Sequence, residues 1–139
     1  MCRTIVLLFI LFCHAEIELA GQNGERGTRS FADSLYAEIN GSRTDTASLN
    51  RLYFTLRNNR VELGEDYKPL LNQYIEQTRK AGHLPGLMLA LDRMGLQERF
   101  DENYQKALEL HEESLTLALQ LADSVHLTFV YSNIGQVYR

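Results

Sequence analysis

Between residues 84 and 121 the chain reads LPGLMLALDRMGLQERFDENYQKALELHEESLTLALQL, two apolar periodicities joined by a polar turn. Leu87, Ala90, Leu91 and Met94 recur at spacings of three and four, the signature of one helix face. Pro85 suits the first turn of that helix, where no proline N–H is needed. Asp101 is the expected cap of the next helix, whose stripe is Ala107, Leu108, Leu115, Ala118 and Leu121, with Tyr104 near its start. A second apolar line, Leu110 and Leu117, runs beside that stripe. A surface helix needs one stripe, so two imply a helix held between neighbours.

The same period extends in both directions. Upstream, Tyr67, Leu70, Leu71, Tyr74, Ile75, Thr78 and Ala81 share one helix face, and Gly82 stands where a left-handed C-cap favours glycine. Leu49, Leu52, Tyr53 and Leu56 mark an earlier helix ending near Asn58, and Phe31, Leu35 and Ile39 a short one before it. Downstream of Asp123, Leu127, Val130, Tyr131, Ile134, Val137 and Tyr138 are expected to face inward. Two prolines against 23 leucines agree with an all-α chain. The pattern also repeats. Met94-Gly95 returns as Ile134-Gly135 after 40 residues, and Tyr67 and Ala81 match Tyr104 and Ala118 after 37. Periods of this size are those of stacked helix pairs.

These residues resemble the tetratricopeptide repeat, a helix–turn–helix unit of about 34 residues that stacks into a solenoid. Met94-Gly95, Tyr104, Ala107 and Ala118 carry the resemblance, and Gly135 with Tyr138 begins a further unit. The resemblance implies a close contact between Gly95 and Ala107, with Tyr104 filling the space between turns. Glu98 replaces the family's aromatic residue, Ser114 its usual alanine, and the 48–81 pair lacks the glycine. Residues 48–139 thus hold one good repeat, a degenerate one before it and half a repeat after it. Residues 106–139 are also similar to the longer-period repeats in extracytoplasmic sensor regions of bacterial membrane-bound signalling proteins. Because Arg139 falls inside a repeat and leaves Val130, Ile134 and Val137 uncovered, the chain is expected to be the start of a longer protein or a truncated product.

The N-terminal residues carry a different message. Residues 1–15, MCRTIVLLFILFCHA, show one basic residue, a short apolar run and a small-x-small ending at Ala15, the pattern of a secretory signal peptide. The apolar run is too short to span a membrane, which takes ~20 residues. Cleavage there would remove both cysteines. Residues 16–30, glycine-rich from position 20 onward, are expected to be a flexible linker before a helical domain over 31–139. Asn40-Gly41-Ser42 matches the glycosylation sequon.

Signs of catalysis are absent from the sequence. It has no phosphate-binding loop or dinucleotide fingerprint, and no nucleophile elbow. His111-Glu112-Glu113 lacks the second histidine of a zinc helix, since Leu115 holds that place. His83, His111 and His126 are scattered, and His111 sits where the repeat takes a packing residue. Glu98, Asp101, Glu102, Glu109, Glu112 and Glu113 read as a solvated face. The net charge of −4 is unlike the basic footprint of a nucleic-acid binder. No metal and no cofactor is expected.

In the family that the chain resembles, the first helix of each pair lines a concave groove. With Gly95 and Gly135 as the shared reference, the resemblance places Leu89, Asp92, Arg93, Leu96 and Arg99, then Phe129, Ser132, Asn133 and Gln136, on that groove. The expectation is an exported, non-catalytic protein-interaction or sensor module that binds a protein or peptide segment. The alternative is the N-terminal part of a signalling enzyme such as a sensor histidine kinase, with its active site beyond residue 139.

Overall fold

The structure, a computed structural model, describes residues 27, 29–41 and 45–139. The signal-like segment, most of the glycine-rich stretch and Ser42 of the sequon lie outside the described residues. Among the described residues the chain is all-helical, without strands. Helix α1 covers residues 29–41, so it begins inside the stretch expected to be a linker. Ala32, Leu35 and Ile39 are its buried face, with Phe31 half-buried beside them. Next come α2 (Thr46–Asn58), a single turn α3 (Arg60–Leu63) and a 3-10 turn at Gly64–Asp66. Four longer elements complete the chain: α4 (Tyr67–Ala81), α5 (Leu84–Phe100), α6 (Tyr104–Gln120) and α7 (Ser124–Val137). None of the described helices is long and apolar enough to cross a membrane.

Local chemistry explains the boundaries. Asp45 caps α2 by accepting from the Ser48 N–H at 3.0 Å. The start of α5 is capped by a histidine, His83, whose Nδ1 accepts from the Gly86 N–H at 3.1 Å. Asp123 does the same for α7, accepting from the His126 N–H at 2.9 Å. Asp101 does not cap α6; that position belongs to Asn103, and Asp101 instead pairs with Lys68 at 2.6 Å.

The three turns that link α4, α5, α6 and α7 share one geometry. Each places a residue with positive φ just past the helix: Gly82 at 66°, Glu102 at 63° and Ala122 at 53°. In each, the next N–H reaches back to a carbonyl of the last helical turn: His83 to Thr78, Asn103 to Glu98, Asp123 to Ala118. This is the pairing of a Schellman turn. Only Gly82 announces it in the sequence, because glutamate and alanine seldom adopt this conformation.

Successive helices pack on one another from α4 to α7, and additional packing joins α2 to α4, α2 to α5 and α5 to α7. The core is continuous, from Leu35 and Ile39 through Leu49, Leu52 and Leu56, then Leu70, Leu71 and Tyr74, to Leu87, Met88, Leu91 and Met94. Polar ties cross it. The Tyr74 hydroxyl donates to the Leu49 carbonyl at 3.0 Å. Lys68 holds Glu98 at 3.0 Å, and Arg79 holds Glu113 at 2.7 Å. Glu98 is therefore a buried, paired carboxylate and not part of a solvated face.

Several expected packing residues lie outside. Tyr104, Tyr131 and Tyr138 are each more than half exposed, and Leu121 is exposed as well. Tyr104 is the first residue of α6, and Tyr138 lies just past the end of α7. Tyr131 and Gly135 of α7 line up with Tyr138 just beyond it, and a side chain at Gly135 would meet nothing within 4 Å among the described residues. Val130, expected on the uncovered face, is fully buried.

Candidate functional site

Helices α5, α6 and α7 meet around Asp92, whose carboxylate joins all three. Its Oδ1 accepts from His111 Nδ1 of α6 at 2.8 Å. Asn133 of α7 donates from Nδ2 to both carboxylate oxygens, at 2.9 and 3.1 Å. Burial pushes the Asp92 carboxyl up, but the hydrogen bonds from His111 and Asn133 outweigh it and hold the group below its ordinary value. A carboxylate is an acceptor only, so His111 carries its proton on Nδ1. The ring is fully buried, and among the described residues its Nε2 has no partner.

That ring also explains Gly95. A methyl at Gly95 would stand 2.7 Å from His111 Cε1 and 2.8 Å from Nε2. The atoms nearest a side chain at Gly95 belong to His111, and Ala107 is fully buried.

A second polar joint lies beside the first. Ser114 Oγ donates to the Met88 carbonyl at 2.8 Å and stands 2.9 Å from His126 Nε2. With its one proton directed at Met88, the hydroxyl accepts from His126, so the ring is the Nε2–H tautomer. Burial lowers the His126 pKa. A serine whose hydroxyl proton points away from the histidine, at a fully buried position, is a structural joint and not a nucleophile with its base. The sequence held no sign of this pair, which lies on two different helices. Among the described residues no cluster of His, Cys, Asp or Glu could hold a metal ion.

The expected groove residues divide into three sets. Asp92 and Asn133 are consumed by each other and by His111. Leu89 is half-buried and packs against the core. Arg93, Leu96 and Arg99 of α5 are partly exposed, while Phe129, Ser132 and Gln136 of α7 are exposed. Arg99, Ser132 and Gln136 come together in a cleft of about 520 Å³, with Gly135 and Arg139 completing its wall. Phe129 stays outside that cleft. No family model, no curated protein and no solved structure matches this chain.

Proposed function

We propose that residues 46–139 are a tetratricopeptide-type repeat array that binds a segment of another protein along the side formed by α2, α5 and α7. The α2–α4 and α5–α6 pairs would be its two units, and α7 the first helix of a third. Three features support this reading. The Schellman turns recur at regular intervals, with residues 82 and 122 one 40-residue period apart. Position 83 caps α5 and position 123 caps α7 through the same i→i+3 bond. Alternate helices pack across the intervening one, α2 on α5 and α5 on α7, as solenoids require.

The cleft between α5 and α7 carries the functional part. Arg99, Ser132 and Gln136 line it with side-chain donors. The chain acts by binding, without catalysis of its own, and residues 1–15 direct its export.

The test is site-directed photocrosslinking of the full chain in extract from its native host. A photoreactive residue at Phe129 or Gln136 should yield one shared protein adduct. The same residue at Lys106, exposed on α6, should not. Adducts from Lys106 alone, or equally from all three positions, would refute the reading.

A further inference from the structure

Helix α7 rests lightly on its neighbours. Of its 14 residues only His126 and Val130 are buried, whereas α5 buries nine of its 17. Leu127 packs at the margin of the core. Two polar ties add to these contacts: Asn133 to the Asp92 carboxylate of α5, and His126 to the Ser114 hydroxyl of α6. The second tie continues inward, since Ser114 donates to the Met88 carbonyl of α5. The chain His126–Ser114–Met88 therefore joins all three helices, and the neutral Nε2–H tautomer supplies the donor it needs.

A further proton, on Nδ1, would make the ring a cation at a place 6% exposed. The charged and titratable groups that face it are Asp92 on α5, His111 on α6 and Asp123 at the start of α7. Asp92 is already engaged: Oδ1 accepts from His111, and both oxygens accept from Asn133. His111 opposes a second positive charge. Asp123 accepts from the His126 N–H at 2.9 Å and travels with α7, so its attraction is the same whether the helix is docked or released. Burial decides the balance, lowering the His126 pKa in spite of both carboxylates. Release of α7 puts the ring in water, where its ordinary value of 6.5 returns. Protonation and release are thus linked, and acid favours release. The Asn133 tie is untouched in that range, because Asp92 stays ionised down to its ordinary value of 3.8 and below.

We infer that the α6–α7 joint is a pH-sensitive latch: neutral His126, seated against Ser114, holds α7 in place, and protonation of its ring releases the helix and takes apart the cleft between α5 and α7. The inference rests on the reading of that cleft as a segment-binding site and adds its regulation, capture at neutral pH and discharge in acid. Ser132, Gly135 and Gln136 of α7, with Arg139 just beyond it, form all of the cleft wall apart from Arg99.

The latch is read by hydrogen exchange with mass spectrometry on the full chain, corrected for the intrinsic pH dependence of exchange. With a docked ring that stays neutral and a released ring that titrates at 6.5, the released fraction rises by up to about tenfold between pH 7.5 and 5.5. Protection of residues 124–137 should fall by up to that factor, and protection of α4 should not fall with it. In His126→Gln, whose amide donates to Ser114 without titrating, protection of α7 relative to α4 should stay level. An NMR titration of the parent chain needs no variant, and its His126 ring should titrate below 6.5. A midpoint at or above 6.5, unchanged protection of α7, equal loss in α4 and α7, or the same loss in His126→Gln would each overturn the latch. Crosslinking from Phe129 keeps the two readings apart. Adducts that persist at pH 5.5 leave the segment reading intact and refute the gating, whereas release of α7 without adducts at either pH keeps the latch and removes the segment.

Discussion

Replacing Gly95 with alanine tests the junction of α5 and α6 directly. In an open helix the change would help, because glycine costs about 1 kcal/mol relative to alanine. Here the new methyl would lie 2.7–2.9 Å from three atoms of the His111 ring. The ring cannot swing aside cheaply. It is fully buried, and its Nδ1–H is committed to Asp92 at 2.8 Å. Either the two helices separate, at about 1–3 kcal/mol for overpacking, or the ring gives up a hydrogen bond to a charged acceptor, at about 1.5–3 kcal/mol. After the gain in helix propensity, the net loss should be about 0–2 kcal/mol. The assay is a double-mutant cycle with His111→Ala, read by urea denaturation at pH 7.5. Without the ring, Gly95→Ala should become neutral or stabilising by up to about 1 kcal/mol. Additive effects in the two backgrounds, or stabilisation of the parent chain by Gly95→Ala, would refute the packing argument.

Other perturbations reach different joints. Asp92→Ala strips His111 and Asn133 of their shared acceptor and should cost about 1–3 kcal/mol in the same denaturation assay. Ala107→Leu adds three heavy atoms at a fully buried position and should cost about 1–3 kcal/mol; an unmoved midpoint would contradict its burial. Burial lowers the pKa of His83, so the unfolded chain takes up the proton first, and the stability this group confers is full above about pH 6.5 and falls away as pH drops below it. Protonation at Nδ1 also removes the acceptor that caps α5. Stability should therefore decline from pH 7 towards 5 less steeply in His83→Asn, whose amide oxygen accepts at any pH, and an unchanged slope would count against the cap. His126, also lowered by burial, adds to the same decline, whereas the Asp92 contribution is lost only below its ordinary pKa of 3.8.

Periodicity made most of the helices legible, because burial of one face leaves its trace in residue spacing. Leu70, Leu71, Tyr74 and Ile75 are buried as their spacing requires, and Gly82 occupies the left-handed cap that its lack of a Cβ allows. What stayed hidden depends on partners far away in sequence. Nothing local to Asp92 shows that a histidine 19 residues on and an asparagine 41 residues on will claim it. Glu98 looks like any surface acid until Lys68, thirty positions earlier, closes on it. The exposed tyrosines of α7 failed for the complementary reason: an apolar stripe states that a face can be covered, and not that a described element covers it. For the candidate site, the repeat reference named Arg99, Ser132 and Gln136, while the cleft that joins them across α5 and α7 requires the tertiary fold.

The Asp92 junction also bears on how the helices find their alignment. Leucine faces are forgiving, and one such helix can slide along another by a turn, about 5.4 Å, with modest change in apolar contact. A carboxylate that holds partners on both neighbours does not tolerate that displacement. One turn of sliding by α6 would take His111 away from Asp92 and out of the notch at Gly95, and one turn by α7 would remove Asn133. The misaligned forms would each strand a charge or a ring nitrogen in the interior, a penalty of kcal/mol scale. Asp92 thus works as an indexing pin: it contributes modestly to the depth of the native minimum and strongly to the height of the neighbouring ones.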